Sequence, residues 1–511
     1  MPWVGGVVRC KAASFCPTPV TNPAGAWAHR ACTIFSESRY VEIIPQTKLS
    51  AHFSPIPPST HHRPTHPQII LHERPLVALQ SLENRQYFPT CGSCLHVIGT
   101  CRQHLALLAE QGDRSQLVGP DEARRLQEEA ALFPAAVMAP LVPCAMGCGE
   151  LYCTPECREE HWARGHRLLC VGHISESEAA THPLVLYKMH AVQTNEIFLL
   201  VADVIALVLT CFEANGGDLA AALLPFRDFV QRPWWEVATN PDPRSDPVAF
   251  QHMLRSLVQE AADLLAQALF TRPGAPFAAY EGVVDGVFTP EFLACVIGMF
   301  EQNNVGIRRQ SPLPSFLAEQ LVPRCQEPST RVYLQLLGKV LEDWVDAEEG
   351  EDQDEDEEEE EEEEAMHVDK EEETGRSSHG DGNGHAHHHH HEQASSPSVV
   401  SSLSPPELLE ACLAKSKTSG IFSALDGTAL LSLVCCMNHS CRPNCEVRWV
   451  GGLGVSSPLV AELVALEPIP AGGELFQSYV RVENTTVEER REKLKEYGFL
   501  CQCPLCTGGS R

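Results

Sequence analysis

Apolar and polar positions alternate in IILHERPLVALQ, residues 69–80, and this period of two predicts strand. From about Ser175 to Leu341 the period lengthens to that of a helix, most clearly in EIFLLVADVIALVL, FQHMLRSLVQEAADLLAQAL and FTPEFLACVIGMFEQNN. In the last of these, Thr289 and Pro290 have the chemistry of a cap and a first turn. The longest apolar run, Ile197 to Cys211, is short for a bilayer and carries Asp203, so a buried helix is expected and no membrane span. Strand character returns between Ile421 and Cys506, where ELVALEPIPAGGELFQSYV reads as a strand, a Pro-Gly turn, and then Glu474 and Tyr479.

Composition divides this pattern into modules. Residues 1–68 are rich in Pro, His and Ser and carry no acid before Glu37, which predicts disorder or an atypical N-terminus, with an organelle transit segment as the alternative. Residues 346–405 join an acidic run to HAHHHHH and SSPSVVSSLSPP and read as a disordered linker. The formal net charge is -30, but 22 acidic residues and one lysine lie between Glu342 and Glu373. Without that block the charge is about -9, which argues against bare nucleic acid as the main partner and leaves a basic protein or peptide easier to accommodate.

Twenty-two cysteines with no apolar leader point to a reducing compartment, because several of them stand at zinc-ligand spacings. The pairs run Cys91 and Cys94, Cys144 and Cys148, Cys153 and Cys157, then His166 and Cys170. Residues four apart share one face of a helical turn, so Cys153 with Cys157, and His166 with Cys170, can each reach one ion. Alternating pairs then give two tetrahedral sites: Cys91, Cys94, Cys153 and Cys157 on one, Cys144, Cys148, His166 and Cys170 on the other. Cys101 and His161 are spare candidates.

The order of these ligands, with Tyr152 before Cys153 and ELYCTPECREEHWARGHRLLC as the second half, resembles the MYND zinc finger. Two departures are visible, an extra residue between Cys144 and Cys148 and a long loop from Cys94 to Cys144. The resemblance implies a protein-interaction module that takes a proline-rich peptide.

MNHSCRPN, Met437 to Asn444, sets an amide, an imidazole, a hydroxyl and a thiol side by side. Three readings compete: a cysteine nucleophile with its base, metal ligands, or a buried polar turn. The C-terminal YGFLCQCPLC supplies Cys501, Cys503 and Cys506, three thiolates that need a fourth, and Cys441 is the natural candidate. His439, two residues from Cys441, is poorly placed as the base of a cysteine hydrolase.

MNHSCRPN, GGELFQSY and YGFLCQCPLC together are similar, in order and spacing, to the motifs of SET-domain protein lysine methyltransferases. With the inserted finger the chain resembles SET and MYND proteins, particularly the plant trithorax-related type and the fifth SMYD paralogue, and RPWWEVA and IGMFEQNN add to the likeness. The resemblance implies an α+β fold: a SET β-fold with a pseudoknot, interrupted by the finger and a helical insertion, and closed by a post-SET zinc site. It divides the chain into a SET start at 69–90, the finger at 91–170, the helical insertion at 171–345, a catalytic core at 406–485 and a post-SET segment at 486–511.

The same resemblance implies S-adenosylmethionine and zinc as cofactors, and a histone tail, H3 among them, or a non-histone protein as lysine substrate. It assigns Tyr479 to catalysis, Asn438, His439 and Asn303 to the cofactor, Tyr497 to the lysine channel and Glu474 to holding the knot. A monomer in nucleus or cytoplasm is expected. The Gly-x-Gly loop with which SET domains open is not found, and STHHRPTHPQ stands in its place. That leaves an alternative, a non-catalytic zinc scaffold for protein interactions.

Overall fold

The computed structural model describes residues 41–43, 68–110, 117, 122–240, 244–271, 275–277, 289–346, 399–418, 420–452, 458–470 and 472–508. Most of the N-terminal 68 residues and of the acidic, His-rich linker therefore lie outside the described residues, as does most of STHHRPTHPQ. The described chain is α+β and divides into two compact units.

The larger unit comprises residues 1–99, 138–310 and 424–511. Strand β1 (Val41–Ile43) pairs with β2 (Gln68–Glu73), and the alternating stretch supplies β2 and, after residues 74–76, β3 (Val77–Gln80). A short hairpin, β4 (Val142–Pro143) and β5 (Leu151–Tyr152), leads into helix α1 (Pro155–His161).

The helical run then gives α2 (Pro183–Thr194), α3 (Ile197–Ala214), the one-turn α4 (Trp234–Val237), α5 (Pro247–Ala266) and α6 (Pro290–Asn303). Three of them start alike: His182, Asp246 and Thr289 each accept a backbone N–H with the side chain, and proline follows at the first helical position. A proline there loses no hydrogen bond, because the first N–H groups of a helix have no partner within it.

Helix α3 is long and apolar enough to cross a membrane by length and composition, yet 72% of it is buried inside the unit. It runs three residues past the apolar run and packs against β3, α2 and α6, so its hydrophobicity is spent on the core.

The last strands are β6 (Val305–Arg309), β7 (Leu425–Leu430), β8 (Asn438–His439), β9 (Cys445–Val450), β10 (Val460–Ala465) and β11 (Phe476–Gln477), followed by helix α7 (Val487–Leu494). They complete an antiparallel sheet in the order β1-β2-β10-β9, a second in the order β3-β7-β6, and a two-stranded parallel pair of β8 and β11. The Trp449 indole donates to the Gly306 carbonyl at 2.7 Å, tying β9 to β6.

The smaller unit comprises 100–137 and 311–423, with helices Cys101–Ala109, Glu122–Leu132, 331–346 and Pro405–Thr418. Its centre is aromatic: the Phe133, Phe316 and Tyr333 rings lie 5.4–5.9 Å apart, and the Tyr333 hydroxyl donates to buried Glu129. Residues 100–137 and 311–345 are grouped together in the smaller unit. Ligand spacing reports only where the cysteines go, whereas the loop between Cys94 and Cys144 folds into helices with apolar faces of their own.

Candidate functional site

The segment before MNHSCRPN is fixed first. Glu73, at the end of β2 and 1% exposed, accepts the backbone N–H groups of Leu433 and Val434 at 2.9 and 3.0 Å. Burial raises its pKa, and those bonds partly offset the rise. The Gln477 amide donates to the Val434 carbonyl at 3.1 Å, so a strand residue from each side holds the turn that delivers Met437. A lone carboxylate in an alternating strand has no motif, and sequence reasoning missed it.

The knot is then built from amides. β8 runs parallel to β11, with Asn438 opposite Phe476 and His439 opposite Gln477. The Asn438 side chain donates to Glu474 Oε1 at 2.7 Å. Asn444 donates to the Glu474 carbonyl at 2.8 Å and accepts the Phe476 N–H at the same distance. Glu474 thus serves as an anchor, as the resemblance implied, and both asparagines spend their amides on the crossing.

Tyr479 follows at the end of that crossing. Its hydroxyl donates to the Met437 carbonyl at 2.5 Å, and its backbone N–H donates to His439 Nδ1 at 3.0 Å. Tyr497 lies with its ring centre 4.8 Å from that of Tyr479, and His439 and Phe499 complete an aromatic cluster at 5.3–6.3 Å. Burial, with Tyr497 next in effect, pushes the Tyr479 phenol well above its ordinary pKa, so it is a neutral donor and no base at physiological pH.

A cavity of about 750 Å³ opens beside these residues, walled by Asn438, His439, Asn444, Phe476, Phe499 and Gln502. That volume falls within the usual range for small-molecule and cofactor sites, roughly 300–1,000 Å³. Phe499, hidden in YGFLC, is a wall residue that the sequence did not single out.

Asn303, which the resemblance assigned to the cofactor, engages its amide within the fold. It is buried, its amide donates to the carbonyls of Val230 and Met299 at 3.0 and 2.7 Å, and it accepts the Val230 N–H at 3.3 Å. It does not line the cavity beside Asn438. Its hydrogen bonds tie the end of α6 to the segment ahead of α4.

All twelve proposed metal ligands assemble into the three quartets read from the spacings. Tetrahedral zinc with sulfur at about 2.3 Å and nitrogen at about 2.0 Å separates two sulfurs by about 3.8 Å and a sulfur from an imidazole nitrogen by about 3.5 Å. In the first quartet the Cys94, Cys153 and Cys157 sulfurs are 3.5–3.7 Å apart. In the second, His166 Nε2 lies 3.5 and 3.4 Å from the sulfurs of Cys144 and Cys148, and Cys144 lies 3.9 Å from Cys170. In the third, Cys441 lies 3.8 and 3.4 Å from Cys501 and Cys506.

The edges fit zinc in each quartet, and the residue added between Cys144 and Cys148 is absorbed by Gly147 at a φ of 74°. Of the spare candidates, Cys101 joins no quartet and His161 is occupied elsewhere, its Nδ1 at 3.1 Å from the Tyr152 hydroxyl. Buried and beside His166, His161 is held down to about 4 and so stays neutral.

An ion pair at 2.5 Å, Arg85 with Glu150, fastens the finger to the residues after β3. Burial would raise the Glu150 pKa, but Arg85 outweighs it and holds the carboxylate at about 2.

Comparison with known proteins agrees with this geometry. The SET domain family matches residues 329–480. Histone-lysine N-methyltransferase ATXR2 of Arabidopsis thaliana is 24% identical, the match covering 87% of this chain and 86% of that protein. The chain thus carries a match to the SET domain and is similar over most of its length to a protein lysine methyltransferase. Two further relatives match over a shorter stretch. SET domain and MYND-type zinc finger protein 6 of Schizosaccharomyces pombe is 32% identical over 80 residues, and N-lysine methyltransferase SMYD2 of Homo sapiens is 39% identical over 82. Each of these matches covers 16% of this chain and 15% or 17% of the relative's own length.

Proposed function

We propose that this chain transfers a methyl group from S-adenosylmethionine to a lysine side chain of a histone tail or a non-histone protein, in the nucleus or the cytoplasm. The observation that carries the reading is the crossing of β8 and β11, which sets Asn438 and His439 in the wall of a cavity and the Tyr479 hydroxyl at the Met437 carbonyl.

The bound sulfonium supplies an electrophilic methyl group. Asn438 and His439 line the cavity while their side chains are hydrogen-bonded to Glu474 and to the Tyr479 backbone, which suits recognition by main-chain groups. Methyl transfer is an in-line displacement, so the protein's task is alignment and exclusion of water. The Tyr479 hydroxyl donates a hydrogen bond to the Met437 carbonyl, which leaves its oxygen lone pairs to accept an N–H from the incoming amine. The neutral phenol cannot deprotonate a lysine. The amine must lose its proton to solvent on entry, a loss that an apolar aromatic channel favours. Tyr497, Phe499 and His439 then give that channel faces on which a methylated ammonium is held by cation-π attraction.

The zinc finger would recruit the substrate through a proline-rich segment. Calorimetry with S-adenosylhomocysteine tests the proposal: a stoichiometric complex is expected. No binding by the zinc-loaded protein would overturn it in favour of a scaffold without catalysis.

A further inference from the structure

We propose that His439 is a positioning residue that couples the third zinc quartet to Tyr479. The inference rests on Tyr479 being the catalytic residue of the proposed reaction.

The two ring nitrogens of His439 face opposite ways. Nδ1 accepts the backbone N–H of Tyr479 at 3.0 Å. A nitrogen that accepts carries no proton, so in the neutral ring the proton is on Nε2. Nε2 lies 3.2 Å from Cys441 Sγ, where its N–H would donate to the thiolate that zinc would bind. Cys441 is 2% exposed and sits 3.4 and 3.8 Å from the sulfurs of Cys506 and Cys501, so it is a ligand and no nucleophile. The imidazole is therefore the link between a metal-binding sulfur and the main chain of Tyr479.

The consequence runs in both directions. A charge-assisted N–H···S bond relieves the excess negative charge of four thiolates around one zinc and slows its release. A thiolate fixed by zinc in turn holds the ring, and the ring holds the Tyr479 backbone whose hydroxyl reaches Met437. Only a residue with a donor and an acceptor at opposite ends of a rigid plane can do both.

Two near-isosteric replacements separate the halves. In His439→Asn the side-chain oxygen falls near the Nδ1 position and keeps an acceptor for Tyr479, but nothing reaches Cys441. In His439→Gln the amide nitrogen falls near Nε2 and keeps the donor to Cys441, but the Tyr479 acceptor is lost. Zinc release from the zinc-loaded full chain is followed with a chromophoric chelator. One of the three equivalents is expected to leave about 10- to 100-fold faster from His439→Asn and His439→Ala than from the parent, and at the parent rate from His439→Gln.

In a methyltransfer assay His439→Gln is expected to lose kcat at native zinc content. Release at the parent rate from His439→Asn and His439→Ala would overturn the proposal, and so would equally fast release from all three variants, which would make the ring mere packing. Loss of the catalytic reading has a separate signature: Tyr479→Phe would retain full activity while the zinc-release pattern stood unchanged.

Discussion

Tyr479 and Asp203 are both half-buried polar groups in largely apolar surroundings, and their partners decide what each does. The Tyr479 hydroxyl is committed to the Met437 carbonyl, and removing it leaves the ring cluster with Tyr497 and Phe499 in place. Tyr479→Phe is therefore expected to abolish methylation or to change the number of methyl groups added, with zinc content and thermal unfolding unchanged. Mass spectrometry of a lysine peptide, with metal analysis of the same sample, checks it.

Asp203 is the one acid in the apolar stretch of α3, and burial, then Glu150, pushes its carboxyl up to about 7. In the unfolded chain it would release its proton near its ordinary value of 3.8, so between those two pH values the folded state holds a proton that the unfolded state has lost. Stability then falls as pH rises from about 4 to about 7 and stays lowered above. Asp203→Asn is expected to remove that slope, raising the melting temperature at pH 8 and not at pH 4. A slope unchanged by the substitution would reject the assignment.

At this scale the site was legible wherever chemistry imposes spacing. Twelve ligands, Glu474, Tyr479 and Tyr497 all carried a motif. Glu73 and Phe499 did not, because one carboxylate in a strand or one aromatic beside a cysteine has many ordinary explanations. For Asn303 a motif likeness does not report that its amide donates to Val230 and Met299.

Elements were legible through period and caps, but their closeness was not. The two stretches RPWWEVA and IGMFEQNN meet where α4 crosses α6, and Gly298 makes the meeting possible. A Cβ on Gly298 would lie 1.9 Å from the Arg232 carbonyl oxygen, well inside contact distance. Trp234 is thereby brought to donate its indole N–H to Glu301 at 3.1 Å. Gly298→Ala is expected to destabilise the larger unit by about 1–3 kcal/mol, the usual cost of overpacking, although alanine is the better helix former.

Gly165 plays the same part between the finger and α3, at a φ of 151° and with a Cβ position 2.9 Å from that of Ala206. Neither glycine is distinguishable in the sequence from one in a turn. The division of 100–137 from the finger was hidden for a related reason: amphipathic helices announce an apolar face and not the element that covers it.

At the scale of the molecule, the three quartets among the described residues that fit zinc serve two different ends, and removing one ligand at a time separates them. The quartets of the finger each draw their ligands from within 80 residues, and they brace a module that contacts α3 through Gly165. The third joins Cys441 to Cys501, Cys503 and Cys506 and so closes the chain around the cavity beside His439 and Phe499. Structural zinc contributes folding free energy on the order of 10 kcal/mol, but only to the segments that it orders.

Cys503→Ser is accordingly expected to lower zinc from three to two per chain and to abolish cofactor binding and methylation. It should leave the main unfolding transition within a few degrees of the parent, because the segment it releases carries only the small cluster of Cys441, Leu494, Cys501 and Cys506. Cys157→Ser also costs one zinc, yet it is expected to lower that transition sharply, since α1 packs on the turn that follows it and that turn packs on α3 at the centre of the larger core. Metal analysis, calorimetry and thermal unfolding of the two variants side by side check both outcomes. Equal loss of stability in the two would mean that the closing quartet braces the core as well as the cavity.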